Sequence, residues 1–415
     1  MKKDLQYYKF CAYGFFKNQR YFDPFIILFF RAMGFSFLEI GTLFSVREIS
    51  IIVLEIPTGV IADSFGRKNS MLVAFSSYIL SFLIFYFFPS FGLYVFAMIL
   101  YGMGTAFRSG THKAMIFEYL KINNIFDQKV EYYGHTRGAS LFGSAVSSLI
   151  AGAFVLYTGN YKIIFAASII PYIFDFFLIL SYPNELNGVV SSISEKNIFT
   201  KTKLQFGIVS HDFIRMFKNR NLFTSIFNSA VYDGLFKTIK DYLQPILQMY
   251  ILSIPLLLSL GNKRSTIMIS VVYFFLFLLT SYSSRRSHKY SQIFPSLPYA
   301  INFTFVLGIA LAFLAGFFSG INLQILSVII FIILYSLQNL KRPMNVGYIG
   351  DNLQLKIMAS GLSVESQIKS IITAILSPIL GFLVDDFGVG AGLMIISGIV
   401  ILFYPLVKIR KTTKS

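Results

Sequence analysis

Apolar residues in this chain gather into repeated runs of about twenty or more, separated by short polar turns. At 1.5 Å per residue, a helix of that length crosses the roughly 30 Å hydrocarbon core of a bilayer. The pattern predicts spans 1 to 6 over 9–32, 37–62, 69–88, 92–118, 136–158 and 162–182. Then it breaks. Pro183 to Asn221 is polar and basic, with Glu185, Glu195, Lys196, Lys201, Lys203, Arg215, Lys218 and Arg220. This stretch reads as a linker with a short amphipathic helix near His211–Phe217 lying at the interface. Spans 7 to 12 follow over 222–250, 265–283, 299–318, 323–350, 357–384 and 389–407. The expectation is an all-α polytopic membrane protein of twelve transmembrane helices. They form a bundle of six over 1–182, a linker over 183–221 and a second bundle of six over 222–415.

Composition agrees with that class. Of 415 residues 55% are hydrophobic and 13% charged, against about 25% charged in an ordinary soluble domain. The net charge of +17 does not point to nucleic acid, because the basic residues fall in one set of connections. That set holds Lys2, Lys3, Arg67, Lys68, Lys121, Lys129, the linker, Arg285, Arg286, Lys289, Lys408, Arg410 and Lys411. The other connections are short and nearly free of charge, with Lys263 and Arg264 as the main exception. The positive-inside rule then places both termini and the linker in the cytoplasm, and an even number of spans follows. One cysteine, Cys11, excludes an internal disulfide framework. No cleavable signal is expected at the start. Tryptophan is absent, so interfacial aromatics must come from 25 tyrosines and 47 phenylalanines, most of the latter expected to face lipid.

Spans 2 and 3 are joined by Gly59-Val-Ile-Ala-Asp63-Ser-Phe-Gly66-Arg67-Lys68. So short a turn makes the two helices antiparallel neighbours. Gly59 permits close backbone approach, and Asp63 is placed to pair with Arg67 or with the positive end of a nearby helix. This G-x-x-x-D-x-x-G-R-K stretch resembles the loop between the second and third helices of the major facilitator superfamily, with Gly59, Asp63, Gly66, Arg67 and Lys68 matching. The resemblance implies a gating motif that locks helices in one state and releases them in another. It also implies two parallel repeats of six helices. A weak internal repeat fits: Ala145, Gly152 and Gly159 recur as Ala374, Gly381 and Gly388, each 229 residues on. The second half keeps a basic pair at Arg285 and Arg286 but lacks the glycine–aspartate lead.

Ionisable residues inside spans are costly in lipid and are the natural candidates for chemistry. Span 1 carries Lys17, Arg20 and Asp23 at a spacing of three, and span 2 carries Arg47, Glu48 and Glu55. Span 4 has Arg108, His112 and Lys113, with Glu118 at its end. Span 7 has Asp233, Lys237, Lys240, Asp241 and Gln244, and span 10 has Arg342. In the superfamily, helices 1, 4, 7 and 10 line the central cavity. The resemblance therefore implies a substrate and proton cavity of Arg20, Asp23, Arg108, His112, Lys237, Lys240, Asp241, Gln244 and Arg342. Glu48 and Glu55 are secondary proton candidates. Lys113, Glu118 and Asp351, at the end of span 10, also read as end-of-span ion pairs, and His112 as either a proton relay or a satisfied polar contact.

There is no P-loop, H-E-x-x-H or nucleophile elbow, and the four histidines are scattered. No enzymatic activity, cofactor or metal is expected. The expectation is a monomeric secondary transporter in a bacterial inner membrane, moving a small organic solute by alternating access with protons as coupling ion. Efflux is favoured by a loose resemblance to drug-efflux members. Uptake or exchange of an organic anion is the alternative, on the surplus of basic residues at Arg20, Arg108, Lys237, Lys240 and Arg342. A non-transporting receptor or lipid scramblase is the alternative of another class.

Overall fold

The computed structural model describes residues 3–187, 200, 202–205, 207, 220–252, 263–351 and 358–410. The regular elements among them are helices. In chain order these are α1 (Leu5–Lys17), α2 (Ile26–Ala32), α3 (Phe37–Phe65), α4 (Arg67–Phe87), α5 (Phe91–Arg108), α6 (Thr111–Ile122), α7 (Lys129–Thr158) and α8 (Ile163–Leu180). Then come α9 (Arg220–Ile239), α10 (Leu243–Leu252), α11 (Lys263–Ser291), α12 (Leu297–Gly320), α13 (Gln324–Asp351), α14 (Met358–Ile401) and α15 (Tyr404–Val407). Among the described residues, eight helical segments are long and apolar enough to cross a membrane. The amphipathic helix expected near His211–Phe217 lies outside the described residues.

Several expected spans are not single helices, and local chemistry gives the reasons. Span 1 divides into α1 and α2 with turns between. Pro24 has no N–H to give, and its ring would strike the carbonyl of Arg20 in a continuous helix. Span 7 divides into α9 and α10 around a 3₁₀ turn over Lys240–Tyr242. Here Pro245 falls in the first turn of α10, where a missing donor costs little. Span 4 divides at Gly110, whose φ of +74° no helix accepts. Most of spans 11 and 12 falls in α14, which breaks at Gly388 (φ +82°, ψ +166°), and the end of span 12 falls in α15.

The chain forms two compact units. Unit 1 comprises Met1–Phe25, Val46–Phe206 and Ser270–Phe277; unit 2 comprises Ile26–Ser45, Gly207–Ile269 and Leu278–Ser415. Within unit 1, α4 packs on α5 and α8, and α1 on α7. The seam is aromatic: Phe82 meets Tyr172 edge-on at 5.0 Å, and Phe85 stacks on Phe165 at 4.7 Å. The phenylalanines serve both surfaces. Phe10, Phe25, Phe29, Phe30, Phe75, Phe82 and Phe85 are fully buried, while Phe87, Phe174, Phe177 and Phe275 are exposed. Within unit 2, α9 and α12 each pack on α14, and α12 also packs on α13. Leu222, Ile226, Ala230, Ile349, Val364 and Ile368 form a buried cluster there.

Candidate functional site

In unit 1 the break after α1 presents a set of charges. Arg20 pairs with Asp23 through a 2.9 Å contact and also engages the Tyr101 hydroxyl. Lys17 is the last residue of α1. Arg108, the last residue of α5, donates from Nε to the Tyr78 hydroxyl at 3.2 Å and also bonds Tyr13. Arg108 thus meets phenols, with no carboxylate within ion-pair distance among the described residues. His112 is stacked on Tyr13 at 3.6 Å, and its Nε2 lies 3.2 Å from the Tyr182 hydroxyl. Glu48 is fully buried against Arg47 at 2.9 Å; Glu55 is half-buried.

Sequence reasoning missed one residue of this region, Asp175 on α8. It is completely buried, and Lys17 is the charge that acts on it. The signal was available: Asp175 is the one acidic or basic residue in an eighteen-residue apolar helix.

Unit 2 carries its own set at the break between α9 and α10. Lys240 contacts Asp241 at 2.6 Å, and Asp241 is buried. Lys237 lies one turn earlier, half-buried. Gln244 is buried, and its Oε1 accepts from the backbone N–H of Ile27 at 2.9 Å. On α13 the residue singled out, Arg342, is exposed. Its neighbour Lys341 is the buried cation. Lys341 donates to Asn228 Oδ1 at 2.8 Å and lies over the Tyr232 ring at 5.1 Å. Asp233 accepts from Gln338 at 2.8 Å.

The turn between α3 and α4 is held differently from the expectation. Arg67 reaches Glu118 at 3.3 Å rather than Asp63. Lys68 donates from Nζ to the Tyr182 carbonyl and from its backbone N–H to Asn187 Oδ1, both at 2.9 Å. Gly66 holds φ +97° beneath Asn187, a conformation that L side chains rarely adopt. Asp63 is exposed, with no ion pair or hydrogen bond among the described residues. A Cβ on Gly59 would meet nothing within 4 Å.

A second G-x-x-x-D-x-x-G occurs in α14: Gly381-Phe-Leu-Val-Asp385-Asp-Phe-Gly388. Here the aspartate is engaged. Its Oδ1 accepts from the N–H of Phe37 at 2.9 Å, and its Oδ2 from the N–H of Leu38 at 2.7 Å. These are the first two donors of α3. The third, from Glu39, goes to Ser36 Oγ at 3.1 Å, while Glu39 returns a bond to the Ser36 N–H at 2.8 Å. This is a capping box completed by a carboxylate from elsewhere in unit 2. The two backbones are in close contact: a Cβ on Gly381 would lie 2.2 Å from the Phe37 carbonyl oxygen.

Comparisons with known proteins agree with this architecture. A family model described as Major Facilitator Superfamily matches residues 10–364. A Bacillus subtilis protein, "Uncharacterized MFS-type transporter YxaM", is 34% identical over 90 residues, 22% of this chain and 23% of that protein's length. The match therefore spans about a quarter of that relative. Among solved structures, the nucleoside transporter NupG is similar with a TM-score of 0.72 at 12% identity, covering 97% of this chain and 96% of that one. A D-xylose–proton symporter is similar at 0.68 and 14% identity, covering 99% of this chain and 98% of that one. Such identities establish the fold alone. The family-model match over residues 10–364 places this chain in the major facilitator superfamily, as a multi-pass integral membrane protein.

Proposed function

We propose that this protein is a secondary active transporter of a small organic solute, working by alternating access in the cytoplasmic membrane with protons as the coupling ion and efflux as its direction. One observation carries the reading. In each sequence half the first span is broken beside a proline, and a cation–carboxylate pair stands at the break: Arg20–Asp23 before Pro24, and Lys240–Asp241 before Pro245. Breaks of this kind free backbone groups and expose charge where a solute or ion can reach them. An opposing cation favours the ionised carboxylate, so moving that cation or replacing it by substrate changes the acid's affinity for a proton. That exchange ties proton movement to the conformational cycle.

The test is transport by reconstituted protein under a pH difference alone. The measurement is accumulation of labelled solutes from a panel spanning cationic, neutral and anionic compounds. Asp23→Asn or Asp241→Asn should abolish accumulation against the gradient and leave energy-independent exchange measurable. Undiminished accumulation by both single variants and by the double variant would overturn the coupling assignment. Anion uptake or exchange is the second reading, favoured by Arg108, a guanidinium held by phenols with Lys17 nearby. Anionic members of the same panel decide it. Both termini and the linker are assigned to the cytoplasm; reporter fusions at Lys196 and Ser415 reading the outer side would refute that.

A further inference from the structure

The carboxylates inside the helical segments differ in one respect. Asp23, Glu48 and Asp241 each have a cation within 2.9 Å. Asp233 accepts a hydrogen bond from Gln338, and Glu365 accepts one from Ser229 at 3.1 Å. For Asp175 both oxygens are sealed from the surface, and no protein group among the described residues donates to either. Burying an ionised carboxylate without a hydrogen bond is among the costliest arrangements a protein can hold, and a group so placed neutralises instead.

Few charged or titratable groups surround Asp175. From α1 it faces Lys17 and Tyr13, and beyond the end of α8 it faces Tyr182. From α4 the neighbouring rings are Phe75 and Tyr78, both against Tyr172. The charged residues of α4, Arg67 and Lys68, are engaged with Glu118 and the Tyr182 carbonyl. The ionisable residues of α7 apart from its tyrosines are Lys129, Glu131, His135 and Arg137, all in its first third. His112 and Arg108 stand one step away, in contact with Tyr13. Lys17 is thus the cation that acts on Asp175, yet no salt bridge joins them among the described residues. Lys17 is also the residue at which α1 stops, next to the Arg20–Asp23 turn.

We propose that Asp175 is a proton-binding site of unit 1, and that Lys17 is the cation whose approach expels the proton. In the step, the Asp175 O–H bond breaks, the carboxylate pairs with the Lys17 ammonium, and the proton leaves to solvent. When Lys17 withdraws, the carboxylate takes a proton back. The proposal rests on reading the chain as a proton-coupled transporter and adds to Asp23 and Asp241 a further proton-binding acid in unit 1.

The test needs neither substrate nor transport, so its failure is separable from failure of the transport reading. Infrared spectra of the purified full-length protein in lipid nanodiscs are recorded across a pH titration. The wild type should show the carbonyl stretch of a buried protonated carboxylic acid, and Asp175→Asn should lose one carboxyl's worth of that band. Asp175→Glu should restore a band at a displaced frequency, which guards against misfolding of the asparagine variant. Lys17→Gln should make the wild-type band persist to higher pH, because the ion-paired form is gone. Spectra of Asp175→Asn that superimpose on wild type at every pH would overturn the proposal. So would a band lost in Asp175→Asn but unmoved by Lys17→Gln.

Discussion

Two stretches share the spacing G-x-x-x-D-x-x-G, and they are used differently. At 59–66 the aspartate is exposed, with no ion pair or hydrogen bond among the described residues, and the glycine before it borders open space. At 381–388 the aspartate caps the first two amides of α3, and the glycine presses on the Phe37 backbone. Both stretches end on a glycine with positive φ, +97° at Gly66 and +82° at Gly388. What the two stretches share is the carboxylate one turn after a glycine and the second glycine that turns the chain; only at Gly381 does the first glycine admit another backbone. Whether the carboxylate is engaged depends on whether a helix N-terminus stands opposite it. The basic pair that follows the first stretch is absent after the second, where Val389 and Gly390 stand in its place. Arg67 and Lys68 are spent on Glu118 and the Tyr182 carbonyl, so they tie the turn to its own unit without neutralising Asp63.

The largest expected difference between the two stretches is steric. Gly381→Leu puts a side chain where the Phe37 carbonyl already stands, an overpacking that typically costs about 1–3 kcal/mol or more. Gly59→Leu meets open space and should cost little stability. Thermal unfolding of the purified variants reads the difference; equal losses would mean that the two glycines are not in different surroundings. Next comes the cap. Asp385→Ala removes the acceptor for two amides at an exposed helix end, and loss of an N-terminal cap typically costs about 1 kcal/mol. Hydrogen exchange at Phe37 and Leu38 should quicken, with exchange later in α3 unchanged. Unaltered protection at those two amides would show that solvent serves them equally well.

Smaller still is the Arg67–Glu118 pair. It is partly exposed, and such pairs contribute about 0–1 kcal/mol. A double-mutant cycle of Arg67→Gln and Glu118→Gln by thermal unfolding should give a coupling in that range, and a larger one would make the pair a structural anchor. Asp63→Asn should shift unfolding least, within about 0.5 kcal/mol. Its expected effect is on transport, through a bias between states on the order of 1–3 kcal/mol. Normal transport rates in Asp63→Asn would leave the first stretch with no gating role and sharpen the contrast with the second.

Hydropathy located the helices well, because a segment long enough to span lipid must be apolar over its whole length. It did not locate the interruptions in spans 1, 4 and 7, because a proline or glycine within a span is compatible with either a kink or a break. Pro57, Pro171, Pro343 and Pro378 sit inside helices that continue, whereas Pro24 and Pro245 stand at breaks. Charge counting found Arg20, Asp23, Lys240 and Asp241. It passed over Asp175, alone in an apolar run, and favoured Arg342 over Lys341, one position away on α13. A helix turns by about 100° per residue, so adjacent side chains face differently. Only the neighbours of α13 decide which of the two is enclosed, and they enclose Lys341.

The amino-acid sequence by itself determined that this is an all-helical membrane protein, the approximate extent of most of its helical segments, and the motif that points to its superfamily. Those properties are set locally: about twenty apolar residues in a row cannot stay in water, and G-x-x-x-D-x-x-G-R-K is contiguous. The tertiary structure decided which charges are paired, which carboxylate is buried without a donor, and which of two equal motifs grips a helix end. Each of those depends on groups far apart in the chain, 348 residues apart in the case of Phe37 and Asp385. Contacts at that separation exist only once the helices have packed.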